Sequence, residues 1–164
     1  MLPHLDAAYN LARWLAGNEP DAKDVAQEAC LRAFKFFGNF RGENPRAWLL
    51  TIVRNTFYNW LRENRPAEPL VTLEDEALEI EDPSVNVDLL NARLSDAEAV
   101  RRAIAALPVE FREIVLLREL EDFSYKEIAE LADVPIGTVM SRLARARKLL
   151  QKSLAEEFQP GPRP

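Results

Sequence analysis

The sequence has little of what most catalytic and cofactor sites need. Its 164 residues include one histidine, His4, and one cysteine, Cys30. That excludes a zinc cluster of histidines and cysteines within the chain. A lone cysteine forms no intrachain disulfide, which points to a reducing compartment and a cytoplasmic location. Neither GxxxxGK[ST] nor GxGxxG occurs, so no glycine-rich phosphate loop is expected. Five glycines are too few for collagen-like or low-complexity chains. No apolar run approaches the roughly 20 residues of a membrane-spanning helix. The N-terminus, Met1-Leu-Pro-His-Leu-Asp, lacks the basic start and apolar centre of a signal peptide. No membrane insertion, cofactor, metal or catalytic residue is therefore expected, and the chain reads as a non-enzyme.

What is present is charge, arranged in blocks. The whole chain carries −6. Residues 1–66 hold 9 Lys/Arg and 7 Asp/Glu (+2), residues 67–95 hold 1 and 8 (−7), and residues 96–164 hold 11 and 12 (−1). Residues 32–65 have seven basic and two acidic side chains; residues 134–155 have five basic and no acidic ones. Two basic patches flanking an acidic stretch fit two nucleic-acid contacts joined by a segment that avoids DNA. Charge alone fits solvated helix faces equally well.

The periodicity is helical throughout, with no strand-like alternation. Leu5, Ala8, Tyr9, Ala12 and Leu15 mark a first helix that Gly17 ends. Asp21 reads as the N-cap of a second helix to about Phe37, with Val25, Ala29, Phe34 and Phe37 as its apolar stripe. Pro45 suits the first turn of a third helix to about Asn64. Residues 67–94 hold no long periodic segment and read as a mobile acidic linker with a short helical piece. Ser95–Glu98 is a capping box opening a helix to Ala106, and Pro108 opens another to Leu120. Ser124–Glu127 is a second capping box, for a helix to Ala132; Pro135 restarts the chain into a helix to about Leu154. The expected fold is all-α: two small helical domains joined by an acidic linker, the C-terminal one containing a helix-turn-helix. The domains fall at 1–66 and 96–155, with the linker at 67–95 and a disordered proline-rich tail at 156–164.

Ser124–Leu150 has the parts of a helix-turn-helix: a short capped helix, a turn of three or four residues and a longer basic helix. Ile128, Ala129 and Leu131 pack the first helix, Val134 fills the turn, and Val139, Leu143, Ala146, Leu149 and Leu150 pack the second. Thr138, Ser141, Arg142 and Arg145 spread over the opposite face, where Arg reads guanine and Ser or Thr holds phosphate in a major groove. A helical hairpin with a basic solvent face has the same pattern. The third helix has a buried stripe of Leu49, Ile52, Val53, Thr56, Phe57 and Trp60. Its other face carries Thr51, Arg54, Asn55, Tyr58, Asn59 and Arg62. Amides, an aromatic and flanking arginines suit single-stranded or opened DNA. Eight aromatics lie in 34–60. Most read as core; Trp48 and Tyr58 are set apart as base-contacting candidates.

Residues 21–66, DAKDVAQEACLRAFKFFGNFRGENPRAWLLTIVRNTFYNWLRENRP, resemble the second conserved region of extracytoplasmic-function (ECF) sigma factors. Residues 106–150, ALPVEFREIVLLRELEDFSYKEIAELADVPIGTVMSRLARARKLL, resemble their fourth region. The order and spacing match too. The resemblance implies a bacterial transcription initiation factor. Such a factor binds core RNA polymerase, recognises the −35 and −10 promoter elements and helps melt the promoter. It further implies contacts with the clamp helices of the largest polymerase subunit and the flap of the second-largest, and control by an anti-sigma factor. Asp24, Gln27 and Glu28 match the clamp-docking motif; read alone, they are a solvated face. Trp48, Arg54, Asn55, Tyr58, Asn59 and Arg62 match the −10 surface and its melted strand, and Arg62–Pro66 the loop that captures a flipped base. Thr138, Met140, Ser141, Arg142, Ala144 and Arg145 match the −35 reading helix. Arg118 and Lys126 are candidates for added phosphate contacts. Two positions depart from the pattern. Many relatives carry a basic residue where this chain has Met140, and some a bulky one where it has Ala144. Cys30 reads as a small core residue. Without the resemblance, a repressor or activator using the same helix-turn-helix stays open; such a protein usually needs a dimer interface, for which no leftover apolar seam is seen.

Overall fold

The structure, a computed structural model, describes residues 4–40, 42, 44–65 and 97–158. The acidic stretch, Ser95 with its capping box, and the proline-rich end from 159 lie outside the described residues. Every regular element among the described residues is helical. They fall into two compact units, one within 1–69 and 116–136, the other within 70–115 and 137–164.

The first unit is built on three helices. α1 (Leu5–Ala16) stops at Gly17, whose φ of 87° is the left-handed conformation that closes a helix C-terminus. α2 (Glu19–Phe36) starts earlier than the sequence predicts. Asn18, not Asp21, is its cap: Asn18 Oδ1 accepts from the Asp21 backbone N–H at 2.9 Å. Pro20 occupies the first turn, where its missing N–H costs nothing. α3 (Pro45–Asn64) is capped by Asn44, whose Oδ1 accepts from the Ala47 N–H at 3.0 Å.

The inner line of α2 is Ala22, Val25, Ala29 and Ala33. Phe34, predicted to be core, is 82% exposed, and Phe36 and Phe37 are exposed as well. One residue is a turn of about 100° on a helix, so the alanines that let α1 and α3 approach closely push Phe34 outward. On α3, Leu49, Val53, Thr56 and Phe57 are buried as predicted, but so are Leu50 and Leu61, while Ile52 and Trp60 are only half-buried. The buried arc is wider than one stripe because α1 and α2 both pack on α3.

At the end of α3, Arg65 pins the corner between α1 and α2. Its Nη2 donates to Asp21 Oδ2 at 2.9 Å and to the Ala16 carbonyl at 3.2 Å, and its guanidinium lies over Trp60. The rest of this unit begins with a π-helical turn, Leu116–Leu120, whose wide geometry shows in the Glu121 N–H donating to Leu116 O. The start of α3 meets it: Arg46 Nη1 lies 3.1 Å from Glu121 Oε2, with its guanidinium 4.5 Å from the Phe123 ring centroid.

The second unit contains α4 (Ala97–Ala105), α5 (Val109–Val115) and most of α7 (Ile136–Phe158). All seven residues of α5 are buried. Arg112 Nη1 donates at 2.8 Å to the Ala105 carbonyl, one of the acceptors left over at the end of α4. α7 runs four residues past the predicted end at Leu154, so residues 156–158, predicted as tail, are helical. Ala155 and Glu156 are good helix formers, and no proline stands before Pro160.

Candidate nucleic-acid and polymerase interface

The −10 surface predicted on α3 is held by its own arginines. Arg54 Nη1 donates to Asn55 Oδ1 at 3.2 Å, with its guanidinium 4.5 Å from the Tyr58 ring centroid. One turn on, Arg62 Nη2 donates to Asn59 Oδ1. Each arginine engages the oxygen of an amide and so directs that amide's N–H₂ donors away from itself. Asn55 and Arg62 are exposed; Arg54, Tyr58 and Asn59 are half-buried. Thr51 contributes less than predicted, because its hydroxyl donates back to the Ala47 carbonyl at 2.7 Å. Trp48, half-buried, is braced by Phe40 and Phe37, with ring centroids 5.2 and 6.2 Å away.

On α2, Asp24, Gln27 and Glu28 are all exposed, and Glu28 pairs with Arg32 at 3.0 Å. Leu31, 67% exposed, and Phe34 continue the same face toward the helix end. Sequence reasoning missed both as surface groups. The signal was the three- and four-residue spacing 24–27–28–31–34, which places them in line with the acids. Cys30 is half-buried, and burial pushes its thiol pKa up, as for a packing residue rather than a reactive one.

The helix-turn-helix elements form as the capping signals dictate. α6 (Tyr125–Ala132) carries the full capping box: Ser124 Oγ accepts from the Glu127 N–H at 3.1 Å, and Glu127 Oε1 accepts from the Ser124 N–H at 2.9 Å. Those donors to its carboxylate hold the Glu127 pKa below the ordinary value. Asp133, at φ 57°, ends α6, and the Val134 N–H donates to Ala129 O. On α6, Ile128 and Leu131 are buried and Ala129 is half-buried; on α7, Val139, Leu143, Ala146 and Leu150 are buried, but Leu149 is exposed at the stripe's edge.

The predicted −35 group divides. Met140 is exposed, and Thr138, Ser141, Ala144 and Arg145 are half-buried. Arg142 is only 5% exposed. Its position three residues after Val139 and four before Ala146 sets it against the packed stripe. Arg118 is tied down, donating to Phe123 O at 3.0 Å and lying over Tyr125; Lys126 is exposed. Among the described residues no group of three or more His, Cys, Asp or Glu side chains could hold a metal, and no helix is long and apolar enough to cross a membrane.

Two family matches account for these parts. Residues 2–66 match Sigma-70 region 2, and residues 97–150 match Sigma-70, region 4. The chain is 39% identical over 147 residues to the RNA polymerase sigma-H factor of Pseudomonas aeruginosa, covering 82% of this chain and 73% of that one. The chain belongs to the extracytoplasmic-function RNA polymerase sigma factors. It is also 36% identical over 155 residues to the ECF RNA polymerase sigma factor SigE of Mycolicibacterium smegmatis, covering 93% of this chain but only 59% of the relative's length. The ECF RNA polymerase sigma-E factor of Haemophilus influenzae is 34% identical over 151 residues, 88% of this chain and 79% of that one. Among solved structures, the sigma factor RpoE of Bartonella quintana, crystallised with the anti-sigma factor NepR, superposes with a TM-score of 0.71 at 29% identity, over 96% of this chain and 95% of that one. In this chain the region-2 match precedes the region-4 match.

Proposed function

We propose that this sigma factor binds core RNA polymerase in the bacterial cytoplasm and directs it to promoters through two DNA footholds, without catalytic turnover of its own. The observation that carries the reading is the pairing of a preorganised amide–arginine–tyrosine face on α3 with a basic reading helix, α7, behind a capped α6, in one chain of region-2 and region-4 order. On α3 the outward amide donors of Asn55 and Asn59 suit acceptor edges of bases, Tyr58 and Trp48 offer rings for stacking, and Arg54 and Arg62 attract phosphate. Opening a duplex costs a few kcal/mol per unstacked step, which stacking and hydrogen bonds to extruded bases offset. On α7, Thr138, Met140, Ser141, Ala144 and Arg145 form the face toward the −35 major groove. Arg145 suits guanine, and Met140 and Ala144 supply apolar contact of the kind thymine methyl groups accept.

Residues 1–66 serve as the docking and melting domain and 96–155 as the −35 domain, with the acidic 67–95 between them suited to a basic polymerase channel. Asp24, Gln27 and Glu28 dock on the basic clamp helices of the largest subunit, and Leu31 and Phe34 extend that face with apolar area. The region-4 domain meets the flap of the second-largest subunit. An anti-sigma factor covers these surfaces, a reading supported by the partner in the Bartonella structure. The test is in-vitro transcription with bacterial core polymerase on a promoter library. New start sites that vanish with Asn55→Ala or Arg145→Ala are the expected result. Tight promoter binding by the protein alone, with no new starts, overturns the reading in favour of a helix-turn-helix repressor or activator.

A further inference from the structure

Four charged side chains of the second unit are buried: Glu110, Arg112 and Glu113 on α5, and Arg142 on α7. They are two acids and two bases. A buried charge is strongly destabilising unless opposite charge and hydrogen bonds face it. Glu110 and Glu113 are three residues apart and share one face of α5, whereas Arg112 points about 100° away from Glu113. Arg112 turns to the end of α4, where it donates to Ala105 O. A cation on a neighbouring element is best placed to face the two carboxylates from across the core. Arg142 is the one buried cation outside α5 among the described residues. Glu113, at 0% exposure, is the deeper of the two acids.

We propose that Arg142 is the counter-ion of Glu113, with Glu110 beside it, and that this pair sets the position of the −35 helix. Arg142 is then a positioning residue, and base reading falls to its more exposed neighbours, Arg145 above all. The guanidinium suits this place because its planar fork of donors serves two carboxylates at once, which a lysine ammonium does not do with the same geometry. The inference rests on the reading of α7 as the groove-facing helix.

The test is an unfolding cycle on the full chain with Arg142→Gln, Glu113→Gln and the double variant, followed by transcription from promoters carrying single base-pair changes in the −35 element. Each single change strands a buried charge and should raise the unfolding equilibrium constant about a hundredfold. The double variant should lose at least tenfold less than the product of the two. If Arg142→Gln fails to fold alone, folding of the double variant supports the pair, and failure of both overturns it. Arg142→Lys should recover only part of the stability. On the promoter panel, Arg142→Gln should depress all sites alike and keep their ranking, whereas Arg145→Ala should change the ranking at one base pair. Multiplicative losses in the cycle, or altered ranking by Arg142→Gln with unchanged unfolding, would overturn the proposal. The cycle uses neither DNA nor polymerase, so its outcome is separate from that of the transcription reading.

Discussion

Glu127 works in two directions at once. Its Oε1 accepts from the Ser124 N–H to cap α6, and its Oε2 lies 3.4 Å from Asn44 Nδ2, the residue that caps α3. Its lowered pKa sets the sign of a pH effect. The carboxylate contributes its full share above the ordinary value of 4.5, and that share is lost as pH falls through the lower folded value. Melting temperatures from pH 7 to pH 3 should therefore drop on the acid limb, and Glu127→Gln should flatten that drop. Gly17 is the other position where one residue decides. Its φ is 87° and a Cβ there meets no atom within 4 Å, so Gly17→Ala costs backbone strain alone. The expected loss is about 1–2 kcal/mol in chemical denaturation.

At the scale of the element, α2 carries different side chains on its two faces. Inside, Ala22, Ala29 and Ala33 are essentially unexposed and keep the neighbouring helices close. Ala29→Leu overpacks that seam and should destabilise by about 1–3 kcal/mol, read from denaturant midpoints at constant slope. Outside, Leu31 and Phe34 touch water. Replacing both with serine should leave the melting temperature unchanged and weaken binding to core polymerase about tenfold or more in a competition assay, as truncation of an apolar anchor does. Unchanged polymerase affinity would remove them from the docking face.

The whole molecule carries its charge unevenly. Free duplex is polyanionic, and the −7 block at 67–95 opposes its approach to the basic windows on either side. The isolated chain should therefore bind promoter fragments weakly, gaining affinity only with core polymerase. Exchanging the eight acids of 67–95 for Asn and Gln should raise free-DNA affinity and steepen its salt dependence, measured by titration at several salt concentrations. No change in either sinks the assigned role of the acidic block.

Helix ends were legible in the sequence because the interactions that set them are local. Gly17, Pro45, Ser124–Glu127 and Pro135 act within a few residues of themselves, and each stands at the boundary it predicts, whereas Asp21 gave way to Asn18 as the cap of α2. The two-block order of the family was legible for the same reason: it is written in contiguous motifs. Burial was less so. A helical period identifies a stripe but not how wide the covered arc will be, and that depends on which other helices arrive. Phe34 went outward because alanines took the inner seam; Leu50 and Leu61 went inward because two helices cover α3. Charge pairing at long range was illegible for a related reason. Arg46 finds Glu121 across 75 residues of chain, and Arg142 is buried in a stretch whose spacing alone marks it as a surface reader. The sequence by itself determined that the described chain is helical, most of its helix boundaries and the order of the two family regions. Only the tertiary structure decided which side chains face water, because exposure is a property of neighbours that the chain brings together.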